Sequence, residues 1–344
     1  MSHRLLAVIA LALAAGACSP GSESPAPAAA ASAPGGAFRL PRTSWGDPAI
    51  EGTYTNKDEY GTPFERPDAL AGKRREDFGP NEMKELMVAR SEAGRAAAPR
   101  IGGSRDNDTG AGPPHWYEYL DAVNSRPWFV SEPADGKVPA LTDEGRERGQ
   151  RARQALAKRE APDTYTDMSL YDRCITLGLP NSMMPMIYGN AYEITQSPGF
   201  VAIRYEMVHE TRVIPLDGSP HPSPALGFFM GDARGRWEGD TLVVETTNIR
   251  EPAAYRNASA ALKITERFTP VDESTLSWQV HFDDPATWTA PWSFEMPLKK
   301  SADAAPFEYA CHEGNLGLHN ILSAARAEER AAGEPSPRPS GTAR

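Results

Sequence analysis

The sequence predicts a mainly β fold: an antiparallel meander forming a partly closed barrel, lipocalin-like in architecture, behind a loop-rich, partly helical N-terminal region. Three observations carry this. Residues 200–209 alternate, with Val201, Ile203, Tyr205, Met207 and His209 on one face and Arg204 and Glu206 on the other, as in a strand with one buried side. Further apolar runs follow at 242–249, 262–268, 276–282 and around Trp292, Phe294 and Met296, with turn residues at 238–240 and 271–274. The chain holds 32 prolines, which implies long irregular connections. Sequential antiparallel strands with short turns close as a barrel or a sandwich, and the barrel is the closure expected here.

The elements order as follows. Residues 1–17 read as a signal peptide: Arg4 supplies the positive start, and the apolar run 5–15 is too short to span a bilayer. Ala15-Gly16-Ala17 precede Cys18, an arrangement like a lipobox, in which Cys18 is lipidated; ordinary cleavage after Ala17 is the alternative. Residues 18–37, rich in Ala, Pro and Ser, lack the apolar surface to fold and suit a disordered linker. Residues 38–166 form an irregular and helical region, with a short strand at 52–55 and helices at 81–98 and from Thr142 to about 159. Residues 167–330 are the barrel-like domain, closing on a short helix at 320–330, and 331–344 a disordered tail.

Of three cysteines, lipidation of Cys18 would leave Cys174 and Cys311 as a pair, an even number that suits a disulfide in an oxidising compartment; two free thiols are the alternative. A bridge between them closes a long loop, worth roughly 4–5 kcal/mol in the chain-entropy model. The net charge of −10, without a basic stripe, argues against nucleic acid as a partner. The location expected is exported and periplasmic, with the membrane reached through a lipid anchor only.

Several strings resemble a widespread group of exported bacterial proteins that is uncharacterised. They are Glu206-Met-Val-His209 running on through 213–218, residues 231–248, residues 283–292 and residues 308–315, with weaker echoes at 64–67 and 138–142. The resemblance covers roughly 170–330 and brings no catalytic residues with it. His281 and His319 look peculiar to this chain.

Polar residues on apolar strand faces are the candidates for chemistry. Glu266 shares a face with Leu262, Ile264 and Phe268, His209 with Tyr205, and Asn248 continues the face of Leu242, Val244 and Thr246. A buried carboxyl must be paired, protonated or solvated in a cavity, and a barrel lumen supplies one. The leading expectation is an enzyme without a nucleotide cofactor: His209 as base, Glu266 as acid or orienting group, and Asn248 or Arg236 stabilising developing charge. Elimination, isomerisation or hydrolysis of a carbohydrate or aromatic substrate all fit such a pair. Against it stand a structural ion pair of Glu266 with Arg204, Arg234 or Arg236, and a satisfied core histidine at 209. Residues 232–238 form a polar cluster in which Arg236 could hold a substrate carboxylate; hairpin-turn chemistry around Gly235 and Gly239 explains the same pattern. Tyr205, Tyr188 and Trp288 are candidate substrate contacts, the last two at a pocket rim, while Trp278 and Trp292 read as core.

No cofactor and no metal is expected. His312-Glu313 is not half of a zincin motif, because the next histidine is His319, and no local spacing joins His209, His221 and His312. Ser182 and Ser219 lack a nucleophile elbow, and no phosphate-cradling glycine pattern opens a helix. The rival to catalysis is a lipocalin-like lipoprotein that carries a small-molecule or oligosaccharide ligand unchanged.

Overall fold

The computed structural model describes residues 38–97, 118, 124–157, 162–303 and 305–333. The expected signal peptide 1–17, the linker 18–37 with Cys18, and residues 334–344 of the expected tail lie outside them. The described residues from Arg39 onward group as one compact unit.

The strands are β1 (Gly52–Thr55), β2 (Val130–Glu132), β3 (Ala191–Ser197), β4 (Phe200–Tyr205), β5 (Thr211–Pro215), β6 (Asp232–Glu238), β7 (Thr241–Thr247), β8 (Lys263–Asp272), β9 (Thr275–Asp283) and β10 (Trp292–Lys300). The helices are α1 (Pro80–Ala97), α2 (Asp143–Ala157) and α3 (Gly317–Ala332). All ladders between these strands are antiparallel, in the order β5-β4-β3-β1-β10-β9-β8-β7-β6, with β2 also on β10. The result is a nearly closed barrel. Its two end strands, β5 and β6, are consecutive in sequence yet are not hydrogen-bonded to each other.

That seam is closed by side chains instead. A Cβ on Gly235 of β6 would lie 2.8 Å from Ile214 Cγ2 of β5 and 2.6 Å from Leu216 Cδ2. Glycine at 235 therefore lets the β5 side chains pack against the β6 backbone. The long connection 216–231 explains why no hairpin forms: it leaves β5, crosses to the end of β7, and pairs Phe228 with Ile249 before β6 begins.

The expected strands are present, with three differences. The boundary at 166/167 does not separate two bodies, because β1, from the N-terminal region, sits between β3 and β10 in the sheet. The strand expected over 200–209 stops at Tyr205. Val208 (φ 62°) and His209 (φ 47°) are left-handed, and an extended strand cannot pass through them. Residues 232–238, where turn chemistry competed, form β6, a full strand facing β7. Beyond these, β2, β3 and β5 have no counterpart among the expected strands, while the helix outlines agree. Thr142 caps α2, its Oγ1 accepting from Gly145 N at 3.0 Å. Helix α3 runs past the expected end at 330 to Ala332, where Gly333 (φ 74°) terminates it.

Aromatic rings fill much of the interior. Phe282 stacks on Trp292 at 4.2 Å and on Tyr255 at 5.2 Å, and Trp278 meets Phe294 edge-on at 5.3 Å. Such pairs add roughly 0.5–1.5 kcal/mol each beyond the area they bury. Cys174 and Cys311 are disulfide-bonded, with Cα atoms 5.7 Å apart. The bridge joins the segment leading into β3 to the segment leaving β10. Among the described residues, no helix is long and apolar enough to cross a membrane.

Candidate functional site

One ion pair lies inside the barrel. Arg212, on β5, faces inward with Ile214 because the strand alternates Thr211 out, Arg212 in, Val213 out, Ile214 in. Glu266, on β8, faces inward between Ile264 and Phe268 for the same reason. Arg212 Nη2 lies 2.6 Å from Glu266 Oε2, with the side chains 4% and 1% exposed. The other carboxylate oxygen, Glu266 Oε1, accepts from Trp278 Nε1 at 3.1 Å. Burial alone works against the Arg212 charge; the facing Glu266 outweighs it and holds the guanidinium protonated above its usual range. Arg212 Nε and Nη1 are buried and have no hydrogen-bond partner, and neither has the Tyr205 hydroxyl. Tyr205 is fully buried, and that burial raises its pKa.

Outside this pair a cleft of about 480 Å³ opens between β5, β6 and the end of the 216–231 connection. Arg212 lines it, with Val213, Phe228, Phe229 and Met230 as apolar wall and Glu210, Asp232 and Arg234 as its other charged groups. Each acid is already engaged. Glu210 Oε2 accepts from Thr176 Oγ1 at 2.6 Å, and burial pushes its pKa up, Thr176 and Arg212 pulling the other way. Asp232 is paired with His221 Nδ1 at 2.6 Å and with Arg234 Nη1 at 3.0 Å. The other ring nitrogen, His221 Nε2, faces Glu245 Oε1 at 3.4 Å. This imidazole thus joins the 216–231 connection to the outer face of β6 and β7. Among the described residues no group of three or more His, Cys, Asp or Glu converges as a metal site.

The residues singled out by sequence do not assemble into one pocket. Glu266 is inside the barrel as expected, but its partner is Arg212, not Arg204, Arg234 or Arg236. His209 is not on the inward face beside Tyr205: the turn after β4 brings it to the surface, with Nδ1 2.7 Å from the Tyr309 carbonyl oxygen. Asn248 is past the end of β7, with left-handed backbone (φ 57°), and its amide donates to the carbonyls of Pro222 and Ser223. It anchors the 216–231 connection. Arg236 is exposed and pairs with Glu238 at 2.6 Å, because the connection covers Asp232 and not the far end of β6. Trp288 is core, not rim. It is 2% exposed and edge-on to Trp292 at 5.5 Å, held inward by the Leu141–Trp288 bridge and by Asp284, whose carbonyl accepts from Trp288 N. Tyr188 is half-buried beside Tyr171 and Tyr309, and burial raises its pKa, with Tyr309 adding to the shift. His209 and Tyr188 therefore both lie near Tyr309.

Arg212 is the residue that sequence reasoning missed. The available signal was a positive charge at an inward position of 211–215, opposite in sign to the one carboxyl on an apolar face. Compared with known protein families, with curated proteins and with solved structures, the chain matches none.

Proposed function

We propose that this is an exported envelope protein that binds a small organic molecule in the cleft between β5 and β6. The observation that carries the reading is Arg212: it is one of the residues that line an open cleft, and its buried guanidinium leaves Nε and Nη1 without partners. A buried unpartnered donor costs roughly 1–3 kcal/mol, so a fold that keeps one beside a cleft has a use for it there. Apolar walls with a few polar groups are the usual make-up of a small-molecule site.

Export is supported by the disulfide, which suits an oxidising compartment, and by the signal-like start of the chain with Cys18 as lipid anchor. Binding without turnover is favoured over catalysis by His209 and Glu266. Glu266 is held by Arg212 and Trp278, while His209 hydrogen-bonds the chain near the disulfide. A general acid and base must both reach the reacting atoms.

The test is a thermal-shift screen of small organic molecules on the mature protein, repeated with Thr211→Trp. Thr211 is an exposed residue that lines the cleft, so the indole blocks it without entering the barrel. Ligands that stabilise the parent are expected to leave the variant unmoved. Equal stabilisation of both proteins would place binding elsewhere and end this reading. Changing Cys18 to Ser tests the anchor: the protein is expected to leave the membrane fraction, and a protein equally soluble before and after the change would mean ordinary cleavage.

A further inference from the structure

The cleft holds its polar groups in an unequal state. Its acceptors are taken: Asp232 by His221 and Arg234, Glu210 by Thr176, and behind the cleft Glu266 by Arg212 and Trp278. Apart from Glu266 Oε2 and Arg212 Nη2, which face each other as an ion pair, its buried atoms without a hydrogen-bond partner are donors on two guanidinium groups. Arg212 has Nε and Nη1 free of partners, and Arg234 Nε is buried without one as well. Arg234 is otherwise spent on Asp232 and on the carbonyls of Ala233 and Pro220. A ligand that fits this set brings acceptors and no donors. Two oxygens on one carbon, with negative charge, match the planar fork of an arginine better than any neutral group does.

The wall selects the rest of the ligand. Phe228, Phe229, Met230 and Val213 offer apolar contact, and one face of Phe229 is covered by the Arg250 guanidinium at 5.3 Å. We propose that the cleft takes a small carboxylate with an apolar, ring-sized body, its carboxylate on Arg212 and its body against Phe228, Phe229 and Met230. This rests on the reading of the cleft as a binding site. Arg234 sits at the rim as the second cation, and its charge is balanced by Asp232.

Benzoate and benzamide separate the inference from that reading. They share shape and ring, and differ in charge and in the donors that the amide adds. On the mature protein, titration calorimetry is expected to show benzoate bound about tenfold tighter than benzamide or more, the difference that a charge-assisted contact provides. Removing Arg212 alone would leave Glu266 unpaired and could unfold the protein, so the variant is Arg212→Met with Glu266→Leu, which takes out both charges together. In it the preference for benzoate is expected to disappear. If benzamide binds as tightly as benzoate to the parent, the ligand is not a carboxylate, and the cleft reading stands on Thr211→Trp alone. If benzoate keeps its advantage in the double variant, Arg212 is not the anchor. If neither probe binds at millimolar concentration, a carboxylate of this size is ruled out. The cleft reading is then judged by the wider screen.

Discussion

Two parts of one barrel wall fill the space behind them by opposite means. Along β8, β9 and β10 every strand is hydrogen-bonded to its neighbour, and rings close the interior: Phe282 on Trp292, Trp278 against Phe294, Trp288 against Trp292. Along β5 and β6 no ladder joins the strands. There the inward residues are an arginine, an isoleucine, an alanine and a glycine, with the partly buried Trp237 toward the far end of β6. The stacked side carries polar groups too, Glu266 and the unpartnered Trp292 Nε1 among them, but large rings fill the space around them. The seam keeps a charge, unpartnered donors and a cleft. Function, in this barrel, is proposed where the hydrogen-bonded wall is interrupted and not at the lumen.

The largest effects should separate these two kinds of packing. Arg212→Met is expected to lower unfolding free energy by roughly 3–5 kcal/mol, because it strands the Glu266 carboxylate in the interior. Adding Glu266→Leu should bring stability back to the parent's level or above it, since an apolar pair can replace a buried ion pair without loss. Phe282→Ala on the stacked side should cost a similar amount, roughly 3–5 kcal/mol, and no single second change should restore it, because its cost is a cavity among several rings. Urea unfolding of the four proteins checks both halves. Failure of the second substitution to rescue Arg212→Met would mean that the guanidinium does more than balance one carboxylate.

The same contrast explains what could be read from sequence. Strands β7 to β10 were legible because their inward positions are large and apolar and their turns are short. Strand β6 was not, because Ala233 and Gly235 leave Trp237 as its one large inward residue, so Asp232, Arg234, Arg236 and Glu238 dominate the string. Gly235 is small for a reason that lies in another strand, the Ile214 and Leu216 side chains. No local pattern reports it. Glu266 was found as the odd residue on an apolar face, yet its partner depended on the return of β5 along β4. His209 was misplaced because left-handed backbone at Val208 and His209 ends an alternation that continues in the letters.

The disulfide tests whether the two sides depend on each other. Replacing Cys174 and Cys311 by serine is expected to cost roughly 2–5 kcal/mol. The bridge fastens the segment carrying Tyr309, whose carbonyl lies against His209, while the ring stack is built on β9 and β10. Hydrogen exchange should therefore quicken around residues 171–174 and 307–313 well before β9 and β10. Uniform quickening across the sheet would show one cooperative unit with no weaker edge.

Glu210 supplies the smallest and most local test. Burial raises its pKa in the folded protein, with the Thr176 hydrogen bond and the Arg212 charge opposing the shift. The folded state therefore keeps the proton at a pH where the unfolded chain has released it. The stability due to this group is fully present below the unfolded pKa, about 4.3 for a glutamate, and is lost as pH rises through the higher folded value. Glu59 and Glu206 are raised by burial too and add slope of the same sign. The informative quantity is accordingly the difference between the parent and Glu210→Gln, which keeps an acceptor for Thr176 and removes the titration. Measured by urea unfolding from about pH 4 to pH 8, the parent should lose stability relative to the variant as the pH rises. The ring-stacked variant Phe282→Ala should instead track the parent at a constant offset, since the titratable member of that stack, Tyr255, has its pKa raised by burial and stays protonated throughout this range. Parallel curves for the parent and Glu210→Gln would mean that Glu210 is solvated in the cleft and that the seam is open to water down to Arg212.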